Sequence, residues 1–512
     1  MKKDSNMLQI KKWGHCIILI AIAVELILWP SLENLIGCGM TLICWIIFSK
    51  IGLNETTIKE HIFSWLVFLS MSLYRILPLL ATLLECHSIG YNFVNPIETY
   101  LGETCLFLIS ALAFYLATNQ KKALISLKIR LYKCGFYDRV SDNTIWCLGI
   151  LGLIIRFYLM STHIQIGDII GKALSGFTFF QYAPIMLFFP SLYKMSKLKK
   201  IIVFNKGGVI YFIFIILLSF ATNSRYAILE PFGTFALLFL LSYIQHPSRL
   251  RQNINKKYII LGIFIIIFLI PFVSDVSLAM LANRGIRGKV STSELFSNTI
   301  NTYLDRDKMN LLRKIKDEKN LTTLKEQPKE WSENYVSNFA LNRYCNMRVS
   351  DNTLYHAKKV GFANEKMYSD FWNEIIALLP SPILNSLGIQ YNKNERYSRG
   401  DKLKALSTNS PPFASYLVTS HLADGLLTFG FLYFPIEFFL FYLRFLFLDT
   451  FIIKHNKRVI YSILGLTTIF SFLAMFRNAG GACDSLPYLL REYWQDIILF
   501  LIGFSILKKI IR

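Results

Sequence analysis

The stretch SPPFASYLVTSHLADGLLTFGFLYFPIEFFLF, residues 410–441, changes character part-way along. Its second half is apolar enough to cross a bilayer. Its first half ends in two titratable side chains, His421 and Asp424, where the apolar run begins. Ser410 followed by Pro411 and Pro412 reads as a helix N-cap with proline in the first turn. The helix is expected to run to about Asp424, with Gly425 bending it into the following span. Leu417, His421 and Asp424 would then share one face. At i+3, Asp424 is placed to hold one ring nitrogen of His421 and leave the other as a base, the orienting role a carboxylate plays in hydrolytic triads. A neutral histidine is the usual base for activating a hydroxyl. The plainer alternative is an interfacial histidine bonded to lipid or backbone. A Ser-His-Asp hydrolase is not indicated, because no G-x-S-x-G accompanies the pair.

The rest of the chain shares the apolar character of that run. Of 512 residues, 54% are hydrophobic and only 17% charged, and the mean hydropathy is +0.42. This composition points to a polytopic membrane protein. The formal charge of +22 would suggest nucleic acid in a soluble domain. In a membrane protein it bears on orientation instead, and no nucleic-acid partner is expected. Nine cysteines are scattered, several inside apolar runs, with no C-x-x-C and no Cys/His cluster. Neither a metal site nor a disulfide framework is expected. The lysines before WGHCIILIAIAVELILW resemble a secretory leader, but no small-residue cleavage site follows, so a retained first span is expected.

Apolar runs recur at 14–30, 33–49, 62–84, 98–117, 144–160, 176–193, 208–222, 226–244, 258–279, 426–448, 459–476 and 486–507. The expected fold is an all-α membrane bundle of about twelve transmembrane helices. Pro78, Pro435 and Arg156 fall inside spans, where the bundle interior or an interface must satisfy them. Basic residues at the N-terminus precede the first span, and KIGLNETTIKEH, NQKKALISLKIRLYKCGFYDR, KMSKLKK, QHPSRLRQNINKK, KHNKR and the terminal KKIIR follow alternate spans. Short basic loops mark the cytoplasm, so both termini are expected there. The organisation expected is a bundle over 1–279, a long, mostly helical extracytoplasmic loop over 280–424, and the last spans over 425–512. Within the loop, Trp331, Tyr335 and Phe339 recur at i+4 and predict a helical face.

With this orientation the unusual polar residues gather at the outer membrane level. Ser224 and Arg225 lie at a tight outer turn, and Arg284 and Arg287 lie where the loop leaves the membrane. Arg343 and Arg348 lie within the loop, His421 and Asp424 where it re-enters, and Arg477 at the top of the penultimate span. A guanidinium offers a planar fork of donors that matches phosphate and stays charged at any working pH. An arginine near a helix end also commonly reaches to lipid headgroups, which is the ordinary account of any one of them.

TNSRYAIL at 222–229 and SHLADGLLTFGFLYF at 420–434, with the long loop between them and FRN at 476–478, resemble the bacterial O-antigen polymerase and O-antigen ligase superfamily of integral membrane glycosyltransferases. Members often carry Gly after that arginine and Asn after that histidine, where this chain has Tyr226 and Leu422. The resemblance implies a bacterial inner-membrane enzyme with a periplasmic loop and no cofactor. It would transfer a glycan from undecaprenyl diphosphate to the terminal sugar of another lipid-linked repeat unit. Arg225 would hold the diphosphate, helped by Arg477 or by Arg284, Arg287, Arg343 or Arg348, and His421 would deprotonate the acceptor. Membrane lipid and a chain-length regulator protein are the implied partners. An O-antigen ligase is the alternative within this chemistry. A lipid-linked oligosaccharide flippase and an outer-surface acyltransferase are the alternatives outside it.

Overall fold

Apolar runs fold as helices in a bilayer because a helix satisfies its own backbone donors and acceptors. The computed structural model describes residues 5–120, 122–161, 171, 174–194, 201–221, 225–246, 275–276, 278–283, 292–323, 330–332, 334–379, 381–389, 397–455, 458–482 and 484–511. Six helical segments are long and apolar enough to cross a membrane: Leu32–Ile51, Ile62–Leu84, Pro96–Asn119, Asp142–Met160, Tyr226–Gln245 and His421–Phe451. Thr178–Phe188 and Lys206–Ser219 are apolar but shorter. The N-terminal run is also a helix, Ser5–Leu28. Strand pairing among the described residues is confined to one antiparallel hairpin, Ile452–His455 with Arg458–Tyr461. The protein is therefore helical with membrane-length apolar helices, and the expected count of about twelve is not reached among the described residues.

Two expected spans differ for local reasons. The 459–476 run begins in the second hairpin strand and continues as two short helices, Ile463–Thr467 and Ile469–Ala474. Ser462 starts the first of them by accepting the Gly465 N–H at 3.1 Å. The 176–193 run is a 3-10 helix, Thr178–Phe188, with Pro184 inside it and Pro190 just after it. Proline removes donors and clashes with the preceding turn, so a long α-helix does not propagate there. The 258–279 run lies almost wholly outside the described residues.

Packing divides the chain into two compact units, and the division does not follow chain order. One comprises Met1–Ile125, Glu326–Thr450 and Phe472–Trp494, the other Ser126–Lys325, Phe451–Ser471 and Gln495–Arg512. The sequence reading divides instead at 279 and 424. In the second unit Arg156 is buried with its guanidinium on the Gln181 side-chain oxygen. Tyr211 donates to the Gln181 carbonyl at 2.8 Å.

The first unit is built on Ile62–Leu84, Pro96–Asn119 and Tyr433–Leu448. Phe68 stacks on Phe114 with centroids 4.5 Å apart, and Phe445 meets Phe114 edge-on at 5.3 Å. The chain after 326 returns to this unit and packs polar side chains into it. Helix Arg348–Val360 buries Arg348, Ser350, Asp351, Asn352, Thr353 and His356. Asp351 accepts the backbone N–H of Val94 at 2.6 Å and of Asn95 at 2.7 Å, and the Thr99 hydroxyl at 3.1 Å, so it caps the start of Pro96–Asn119. Burial pushes its carboxyl up to about 6, against the pull of those donors.

The i+4 recurrence of Trp331, Tyr335 and Phe339 does not form a helical face. Residues 330–332 and 334–338 are irregular, and the helix begins only at Phe339. Tyr335 is buried and donates to the Ile89 carbonyl at 2.6 Å, while Trp331 faces the His356 ring at 5.0 Å. Tertiary partners, not helical periodicity, account for Trp331 and Tyr335.

The approach to His421 also differs from expectation. Helix Arg399–Thr408 ends at Asn409 in a left-handed conformation, φ 52°, so Ser410 follows a helix end instead of starting a helix. Residues 410–420 form no helix. Pro411 and Pro412 lack N–H groups and push their predecessors toward extended backbone. Asp401 holds this segment by accepting the N–H groups of Ser415, Tyr416 and Leu417 at 3.3, 3.1 and 3.2 Å. The true N-cap is Ser420, whose hydroxyl accepts the Ala423 N–H at 3.1 Å and starts helix His421–Phe429.

The bend falls at Gly430, not Gly425. Gly430 has φ +59° and ψ −147°, a conformation in which a side chain is strained. Gly425 serves a different need: a Cβ there would lie 2.3 Å from the Tyr433 ring. Helix His421–Phe429 thus folds back against Tyr433–Leu448. In one straight helix His421 and Glu437 would be about 24 Å apart along the axis. Instead His421 Nδ1 lies 3.9 Å from Glu437 Oε1.

Candidate functional site

His421 sits in the first turn of its helix and is 1% exposed. The ring stacks on Phe476 with centroids 4.8 Å apart and planes 18° apart. Its backbone N–H points to the Asn478 carbonyl at 3.3 Å. Nδ1 faces Glu437 and Nε2 faces Asp484 Oδ2, each at 3.9 Å. Glu437 is fully buried, whereas the Asp484 side chain is half exposed. The histidine expected at a membrane lip is therefore enclosed between two carboxyl groups, with one side of the enclosure near solvent.

Asp424 does not orient His421, contrary to expectation. Its oxygens lie 2.7 and 2.9 Å from Arg399 Nε, and Oδ2 also accepts the Ala482 N–H at 2.9 Å. A charge-assisted bond to a guanidinium outcompetes a neutral imidazole. Arg399 also donates to the Thr428 hydroxyl at 2.6 Å, so Asp424 ties its helix to Arg399–Thr408 and to the 482 segment.

Phe476 is the hub of an aromatic and cationic cluster. Arg75 lies over its ring with Cζ 5.2 Å from the centroid, and Tyr74 meets it edge-on at 5.7 Å. Tyr74 in turn faces Tyr344 at 6.3 Å and donates to the Arg343 carbonyl at 2.6 Å. The charges of Arg343 and Arg477 both reach the phenols of Tyr74 and Tyr344. Burial raises the Tyr344 phenol, and these two guanidiniums pull it back. Arg477 is exposed. Behind Phe476 runs a buried polar chain. Arg75 donates to Glu103, Glu103 accepts the Ser350 hydroxyl, and Ser350 accepts the Asn478 amide at 2.8 Å.

Of the expected site residues, His421 packs on Phe476, while Arg343 and Arg477 act on Tyr74 and Tyr344 beside it. Arg348 is buried at the start of its helix, donates to the Asn334 carbonyl at 3.0 Å and sits in the field of Asp351, which gives it a structural setting. Arg225 begins helix Arg225–Gln245 in the other unit, and its side chain is outside the description, as are Ser224, Arg284 and Arg287 altogether. The sequence reading missed Arg75, Glu103, Arg399, Glu437, Arg444 and Asp484. A signal existed for four of them: Arg75, Glu103, Glu437 and Arg444 are ionisable residues inside apolar spans, which are costly unless partnered or functional. Arg444 donates to the Met475 carbonyl at 3.3 Å and lies over the Tyr488 ring at 5.3 Å. No cluster of metal-ligating side chains forms among the described residues.

No family model matches this chain, and neither curated proteins nor solved structures include a match.

Proposed function

We propose that this protein is a membrane glycosyltransferase of the O-antigen polymerase type. It acts at the outer face of the bacterial inner membrane on a glycan carried by undecaprenyl diphosphate. The observation that carries this reading is the cluster around Phe476. The buried His421 and Tyr74 pack on the Phe476 ring, Tyr74 faces Tyr344, and the charges of Arg343 and Arg477 act on both phenols. Guanidiniums match a diphosphate and aromatic faces match sugar rings.

In the reaction, His421 takes the proton of the acceptor hydroxyl as that oxygen attacks the anomeric carbon. The bond from the anomeric carbon to the diphosphate oxygen breaks, and the diphosphate leaves with the electron pair. Fixed positive charge from Arg343 and Arg477 stabilises it.

The test uses purified protein in lipid nanodiscs with undecaprenyl-diphosphate-linked repeat units. Wild type should yield a polymer ladder. His421→Ala should leave single units at a rate lower by roughly 100-fold or more, as loss of a general base implies. A wild-type ladder from His421→Ala would remove the catalytic role. Transfer only to added lipid A core would favour the ligase reading. Lipid translocation without product would favour a flippase.

A further inference from the structure

Removing Asp424 as the partner of His421 leaves the question of what sets the ring. Two atoms answer to each other. His421 Nδ1 is buried with no hydrogen-bond partner, and so is Glu437 Oε2. Buried polar atoms without partners cost on the order of 1–3 kcal/mol each, so two on neighbouring groups call for an explanation. The other carboxyl oxygen, Oε1, is 3.9 Å from Nδ1 and accepts the buried Ser485 hydroxyl at 3.2 Å. Catalytic hydrogen bonds are commonly long before substrate binds.

The chain goes to some length to make this approach. The positive-φ turn at Gly430 and the fold-back of His421–Phe429 bring together residues sixteen positions apart in sequence. Glu437 stands on helix Tyr433–Leu448, and Arg444 lies on the same helix close enough for its charge to act on the carboxyl group. Asp484, by contrast, is half exposed and lies 3.9 Å from Nε2.

We propose that Glu437 is the positioning residue of His421: its carboxyl group accepts Nδ1–H and thereby fixes the tautomer that presents the Nε2 lone pair to the acceptor hydroxyl. This rests on the glycosyltransferase reading above. Glu437 touches no substrate and acts only through the ring.

The experiment measures initial rates of polymer formation in nanodiscs for wild type, Glu437→Gln, Glu437→Asp and Ser485→Ala, with thermal midpoints for each. Glu437→Gln should lower kcat roughly 10- to 100-fold with KM within about twofold, because only the transition state uses the positioned base. Glu437→Asp should recover part of the loss. Ser485→Ala, which frees Oε1, should lower kcat several-fold and decides the matter if Glu437→Gln does not fold. Wild-type kcat in Glu437→Gln, or in Ser485→Ala where Glu437→Gln does not fold, overturns the inference and leaves the function intact. A loss confined to KM also overturns it. An inactive wild type, under conditions where the substrate is intact, overturns the function and the inference with it.

Discussion

At the residue scale, the buried groups differ in how they are satisfied. His356 lies outside the membrane spans, 5% exposed, with Nδ1 on the Ser407 hydroxyl at 2.8 Å and Nε2 buried without a partner. Burial pushes its ring down to about 4, and the charges of Lys359 and Lys404 add to that. The folded protein therefore binds fewer protons at this site than the unfolded chain between about pH 4 and 6.5. Stability from this group is complete above 6.5 and is lost as pH falls. Asp351, raised to about 6, works the other way between about 4 and 6, so the sum alone is ambiguous. The difference between wild type and His356→Gln isolates the histidine. From pH 7 to pH 5 wild type should lose up to about 2 kcal/mol more than the variant, read as a larger fall in thermal midpoint. Equal slopes for the two proteins would mean that His356 protonates freely in the folded state.

At the element scale, the turn after His421–Phe429 decides whether the site exists. Gly430→Ala has space, since the nearest atom to its Cβ would be Ala363 Cβ at 3.4 Å, but it has the wrong backbone angle. The strain is worth about 1–3 kcal/mol. The variant should melt several degrees lower and lose most transferase activity, because relaxing the turn separates His421 from Glu437. Unchanged activity at the lower midpoint would show that the fold-back is not needed for the chemistry. This turn was only half legible in the sequence. Two glycines, Gly425 and Gly430, flank the apolar segment LLTF, and local preference does not say which one turns and which one makes room for Tyr433. The Ser410 cap failed for a related reason. Serine followed by proline is a start signal, but Asn409 had already ended another helix and Asp401 captured the backbone that would have begun the new one. The membrane helices were legible because each satisfies its own backbone, and their apolar length needs no partner to be read. The site was less legible because its contacts join Ile62–Leu84, Pro96–Asn119, Arg348–Val360 and the 472–494 segment, which no spacing rule connects.

At the scale of the whole molecule, the two compact units are assembled from interleaved pieces of chain, yet the charge pattern makes a claim about every piece at once. Seven basic segments alternate with apolar runs, and short loops rich in lysine and arginine are retained in the cytoplasm. The membrane-length apolar segments described are compatible with a membrane protein, but length and apolarity carry no direction. Direction comes from charge alone, and the transferase reading depends on it, because a lipid-linked glycan must meet His421 on the outer side. Reporter fusions after Lys50, Lys133 and Arg512 should therefore register cytoplasm. Fusions within Arg306–Thr323 and within Arg399–Thr408 should register the opposite compartment. The second pair is the sharper test, since Arg399 is bonded to Asp424 in the same helix turn as His421. A cytoplasmic signal from Arg399–Thr408 would put His421, Arg343 and Arg477 on the side where nucleotide-activated sugars are found, and the donor would then have to be sought among those instead of among polyprenyl diphosphates.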